Sequence, residues 1–218
     1  MQRLSLLSAQ LPDPTLRYQA HHLASTLLSL HSSDEVKIAY IKDTLEHCPF
    51  DNLKGSAVGW LKDQILAANT PNEEGTASGS VFSSSDLLDI AGEWLWGDRV
   101  GVPMYSPQQS NEEAEEDFSN LQKMLSFYLA VLNLFYLLLS NKSIFTNLNV
   151  KEYIGGVKSE FLEPLSQAAK GYEGALKSGT IDGMEEQEVR DAQVVEMQLL
   201  IMNCQQVIDV IDEGDLAT

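Results

Sequence analysis

Between Phe118 and Leu139, apolar residues recur in steps of three and four without a break: Phe118, Leu121, Leu125, Tyr128, Leu132, Phe135 and Leu139. Such spacing traces one face of an α-helix. Met124, Phe127, Val131, Leu134 and Leu138 lie beside the stripe, so the helix is apolar on most sides towards its C-terminal end. A helix of that kind has to be enclosed, by a protein core or by lipid. The uncharged run Leu125 to Asn141 is 17 residues long and contains Ser126 and Asn133, which puts it at the lower limit for a bilayer span. Its front turns continue the same helix and are acidic, with Glu112, Glu113, Glu115, Glu116 and Asp117. Ser110 and Glu113 form a capping box there, and acids in a first turn suit the helix dipole. The pattern predicts a buried core helix and no membrane span.

The same period governs most of the chain. Asp13 caps and Pro14 opens a helix with Leu16, Ala20, Leu23, Leu27 and Leu30 on one face. Ser32 and Glu35 predict a capping box for a second helix, with Ile38, Ile41, Leu45 and Cys48 on its stripe and Pro49 as its stop. Asp51 or Asn52 caps a third, carrying Leu53, Ala57, Leu61, Ile65 and Ala68. A short helix is expected over 86–96. Asn149 caps another from Val150, which Gly155-Gly156 weakens and Pro164 kinks. A last helix over 184–212 carries Val194, Met197, Ile201, Cys204, Ile208 and Ile211, with Val195, Leu199 and Met202 widening its face. No window alternates with period two, so no sheet is expected. Helices joined by turns of a few residues must pack as neighbours. The expected fold is all-α, a HEAT-like solenoid of helical hairpins, with an irregular helical bundle as the alternative.

Charge divides the chain. The formal net charge is −18, with 32 acids against 14 Lys plus Arg. Residues 1–70 hold seven of the acids and six of the bases, so almost all of the excess lies in residues 71–218. The stretch 69–85 is dominated by Gly, Ser, Thr, Asn and Pro and reads as a mobile loop. The expected organisation is a near-neutral helical-hairpin part at 1–70, a flexible loop at 71–85 and an acidic helical part at 86–218, packed together as one unit. A strongly acidic chain is a poor ligand for nucleic acid or anionic lipid, since both need clustered Lys and Arg.

Catalytic patterns are thin. His21, His22, His31 and His47 form no metal-ligand spacing with Cys48 or Cys204, so no metal is expected. Glu185-Glu186 reads as a solvated acid pair, and no nucleophile elbow or phosphate-binding glycine loop occurs. No catalytic residue and no cofactor is assigned. Cys48 and Cys204 lie on apolar stripes and read as inert thiols, in keeping with a reducing compartment. The segment Ile90 to Tyr105 brings Trp94, Trp96 and Tyr105 around Arg99. Trp, Tyr and Arg are common interface anchors, and aromatic residues equally fill the seam between two packed parts. The candidate protein-binding residues are therefore Trp94, Trp96, Arg99 and Tyr105, with Glu112, Glu113, Glu115, Glu116 and Asp117 as the electrostatic part.

The stretch His47 to Leu66, HCPFDNLKGSAVGWLKDQIL, resembles the fungal Yap-binding protein family, grouped with glomulin and the plant aberrant lateral root formation proteins. CPFDNLK (48–54) and AVGWLKD (57–63) carry the resemblance. It implies an all-helical HEAT-like protein without enzymatic activity, and the chain would be a C-terminal portion or a short member. Fungal members are associated with a stress-responsive bZIP transcription factor and with the kinetochore, and glomulin masks the RING subunit of cullin ubiquitin ligases. The expectation is a cytoplasmic or nuclear adaptor that binds another protein with a basic surface; the alternatives are RING masking and an enzyme whose site is formed by scattered residues.

Overall fold

The computed structural model describes residues 2–70, 79–97, 100–181 and 187–214. The first half contains α1 (Gln2–Gln10), α2 (Pro14–Leu30), α3 (Asp34–His47), α4 (Asp51–Asn69) and α5 (Asp86–Leu95). Next come α6 (Asn111–Ser140), α7 (Lys142–Asn147), the single turn α8 (Ile154–Gly156), α9 (Glu163–Ser178) and α10 (Gln187–Asp212). Among the described residues there is no strand. The fold is all-α.

Helix α6 is the centre. Phe118, Leu121, Tyr128, Leu132, Phe135 and Leu139 of its stripe are buried, as are Phe127, Val131, Leu134 and Leu138 beside it. Full burial of one such side chain is worth about 2 kcal/mol, so this face dominates the core. By length and composition α6 and α10 could each cross a membrane. Most apolar positions of α6 are buried within the protein, with α4 on one side and α10 on another, while Tyr136 is exposed. Ser110 caps it as expected, with Glu113 bonding back to the Ser110 backbone.

The first part packs as neighbours, α1 on α2 and α3 on α4, and α4 then crosses α6. Gly55 makes that crossing close: a Cβ there would stand 2.9 Å from the Ser126 carbonyl oxygen. One core runs without interruption from Ala24 of α2 through Leu61, Phe135 and Leu162 to Val207 of α10. Buried residues of α2 and α4 thus share one core with those of α6, α9 and α10.

Several local expectations are corrected. The cap of α3 is Ser33, not Ser32: its Oγ accepts from the Val36 amide at 3.3 Å. The His31 ring closes the preceding turn by accepting from the Ser33 amide at 3.1 Å, which sets the helix start one residue later. α4 begins at Asp51 itself, without a side-chain cap. The stretch 79–85 is anchored, unlike the loop expected for it. Phe82 is buried, Ser80 donates to Asp34 Oδ2 at 2.5 Å, and the Asn69 side chain donates to the Phe82 carbonyl at 3.2 Å. Residues 71–78 lie outside the described residues. α1 and α7 were not expected from the periodicity.

Asn149 opens a 3₁₀ turn, left-handed at φ 51°, and bonds no amide with its side chain. The kink expected at Pro164 is a π-helical stretch, Val157–Leu162, leading into α9. Pro has no N–H to donate, and the wider turn rearranges the bonds just before it.

The largest correction concerns which face is buried. In α2 the inner line is Ala20, Ala24 and Leu28, while Leu16, Leu23, Leu27 and Leu30 are exposed. In α10 the inner line is Gln193, Met197, Leu200, Cys204 and Val207; Val194, Ile201, Ile208 and Ile211 are only half-buried. Both expected stripes are rotated partly out of the core.

Candidate binding cleft and acidic surface

The family-like stretch 48–54 leads into a cleft. The ends of α3 and α4 bring Glu46, His47, Asp51 and Lys54 to one wall. Asn120, Lys123, Met124 and Phe127 of α6 line the cleft as well, together with Trp94, Val100, Gly101 and Pro103. The cleft has a volume of about 640 Å³. Lys54 holds Asp51 at 3.0 Å, and its Nζ lies 3.8 Å from the Met124 sulfur. Lys42 sits 5.2 Å over the Trp94 ring, and its ammonium reaches Glu46 at 4.0 Å. The Tyr128 hydroxyl donates to the Gly101 carbonyl at 3.0 Å, and Gly101 is left-handed at φ 57°, a conformation glycine adopts without strain. Burial pushes the Tyr128 phenol well up, so it stays a neutral donor. The cleft lining thus mixes apolar side chains such as Leu45, Met124 and Phe127 with charged and polar ones, Lys54 and Asp51 being paired with each other.

The expected aromatic group does not assemble as an exposed patch. Trp96 is 9% exposed and meets Phe135 edge-on at 5.5 Å between ring centroids. Trp94 is 6% exposed and lines the cleft. Both sit in the seam between α5 and the rest of the core. Tyr105 is half-buried, 5.3 Å from the Tyr172 ring, and lies so close to Gly171 that a Cβ there would come within 2.6 Å of its ring. Arg99 lies outside the described residues, as does Glu185-Glu186.

The acids behave differently from one another. Glu112, Glu115 and Glu116 are exposed. Glu113 is also exposed but is engaged in the capping box. Asp117 is half-buried, accepts from Gln109 Nε2 at 3.4 Å, and helps burial push the Tyr172 phenol to about 12. Cys204 is buried, and burial raises its thiol to about 12, which removes the thiolate that redox chemistry needs. Among the described residues no group of three or more His, Cys, Asp or Glu could hold a metal. Periodicity alone did not reveal Lys54 and Lys123 as cleft residues. For Lys54 the available signal was its place three residues after Asp51 in the DNLK motif.

Fold and surface define a class first: an all-helical protein with an open cleft and an acidic outer surface. The chain belongs to the family described as an uncharacterised protein family, YAP/Alf4/glomulin, whose model matches residues 1–201. No curated protein and no solved structure matches the chain.

Proposed function

We propose that the chain is a non-enzymatic helical adaptor, built on HEAT-like helix pairs, that binds another protein with a basic surface. One observation carries this: Glu112, Glu115 and Glu116 stand exposed on the first turns of α6, in the part of the chain that holds nearly all of the excess negative charge. Such a surface draws in a basic partner and speeds encounter. Membership in a family whose description names glomulin supports a protein partner. By the same resemblance, the partner belongs to stress-response transcription or the kinetochore, and the protein works in the cytoplasm or nucleus.

The test is affinity capture from the native cell with mass spectrometry, comparing wild type with Glu112→Lys/Glu115→Lys/Glu116→Lys at low and high salt. Glu113 is left in place because it caps the helix. The expected outcome is a partner bound by wild type at low salt and lost in the variant, with circular dichroism unchanged. Capture indifferent to salt and to the variant overturns the electrostatic reading. The glomulin resemblance motivates a second reading, masking of a RING subunit. A cullin-RING ubiquitylation assay whose rate does not change on adding the protein removes it.

A further inference from the structure

The outer face of α10 is apolar in its middle and acidic at both ends. Val195, Leu199 and Met202 are exposed by 62%, 41% and 61%. They follow one another in steps of four and three, so they share a line, and that line lies opposite the buried Met197–Leu200–Cys204 line. Glu188 and Asp191 stand before Val195 at helical spacing, and Asp209 and Glu213 stand after Met202 likewise; all four are exposed. The one cation of the helix, Arg190, lies three residues before buried Gln193, on the side turned into the protein. A shallow groove of about 830 Å³ adjoins the C-terminal half of this face: Met202 lines it, Val195 and Leu199 do not, and Tyr136 of α6 and Glu173 of α9 bound it. Every charged side chain lining it is a carboxylate: Glu173, Asp209 and Glu213. Lys177 offsets Glu173 in part, at 2.6 Å.

An exposed apolar stripe on a helix marks an interaction surface. The charges select its occupant. A second copy of the chain, in either orientation, would set carboxylates against carboxylates at both ends of the stripe. Anionic lipid meets the same repulsion. The complementary object is an amphipathic helix with apolar side chains at i, i+4 and i+7 and Lys or Arg towards both ends. From Glu188 to Glu213 the stripe extends about 37 Å at 1.5 Å per residue, the length of a helix of about 25 residues.

We infer that the outer face of α10 docks a basic amphipathic helix of a partner protein, seated on Val195, Leu199 and Met202 and held at its ends by the flanking carboxylates. This rests on the adaptor reading and names the surface and the shape of the partner.

The test uses the full chain and a synthetic Leu/Lys amphipathic helix of about 25 residues as probe, with the same peptide carrying Glu for Lys as control. Binding is read by fluorescence anisotropy and mapped by amide chemical shifts. The Lys peptide is expected to perturb α10. Leu199→Glu/Met202→Glu and the Glu peptide should each weaken binding by about tenfold or more, equivalent to about 1.4 kcal/mol. Both substituted residues are exposed, so melting and circular dichroism should stay as in wild type. Shifts confined to α2 or to the front of α6 overturn the inference, as does unchanged affinity in the double variant. Binding of phosphatidylserine vesicles in preference to the peptide, or a dimer in sedimentation that the double variant dissolves, overturns it in favour of lipid or a second copy.

Native capture separates the two levels. A partner lost on charge reversal in α6 but kept by Leu199→Glu/Met202→Glu moves the dock away from α10 and leaves the adaptor reading standing. Loss of α10 docking together with capture insensitive to every variant removes both.

Discussion

Helices α2 and α6 carry the same alternation of three and four, and the fold treats them in opposite ways. In α6 the stripe is the core, with Leu121 and Leu139 fully enclosed. In α2 the leucines of the stripe are exposed, Leu30 by 77%, and the small residues Ala20 and Ala24 face inward. The difference teaches that period identifies a helix and a face, while neighbours decide which face is covered. α6 has apolar residues on most sides and neighbours on several, so any rotation buries leucine. α2 has α1 and α4 against it, and the close approach favours alanine on the inside. Trp60 of α4 fills that contact, its indole donating to Ser25 Oγ at 2.7 Å.

Four measurements break or sharpen this comparison. Phe135→Ala removes a ring from the middle of α6, where Trp96 packs edge-on, and should cost about 3–5 kcal/mol in urea unfolding. A loss under 1 kcal/mol would mean that α6 is not the centre. Gly55→Leu forces α4 off the Ser126 carbonyl and should cost about 1–3 kcal/mol. Gly59→Ala, one turn on and with nothing within 4 Å of the new Cβ, should instead raise stability by up to about 1 kcal/mol through helix propensity. Equal effects at the two glycines would refute the close crossing.

Leu23→Ala on the outer face of α2 should change stability by about 0.5 kcal/mol or less in the same assay, because the side chain is already half in water. A cost near that of Phe135→Ala would show that this face is covered in solution. The smallest effect concerns pH. Burial lowers the His21 pKa, with His22 adding to it and Asp63 opposing, and the ring stacks on Trp60 at 5.9 Å. The folded state therefore prefers the neutral imidazole. The unfolded chain takes up the proton first as pH falls through about 6.5, so stability declines there and levels off below the folded pKa. His21→Gln should flatten that part of the stability profile, and an NMR titration should place the His21 midpoint below that of a free histidine.

Much of the fold was legible in the residues. The α6 stripe, its Ser110–Glu113 box and the start of α2 at Asp13-Pro14 are local signals, and the structure has all three. The site was less legible. Trp94 and Trp96 look like interface anchors in a list of residues, and burial in the seam is a property of what packs on them. The cleft joins Lys54 to Met124, 70 positions apart, and nothing local links them. Val195, Leu199 and Met202 do not widen the buried face of α10 as expected: at about 100° per residue they fall on the opposite side of the helix from Met197 and Cys204, and the structure leaves them exposed.

From residues alone, this protein is a set of amphipathic helices with a sharp division of charge, since periodicity, capping and ionisation act within a few residues or require only a count. The tertiary structure decided how far each helix is rotated about its own axis. That rotation depends on the shapes of neighbours far away in the chain, Gly55 against Ser126 above all. It determines which leucines form the core and which face outward towards a partner.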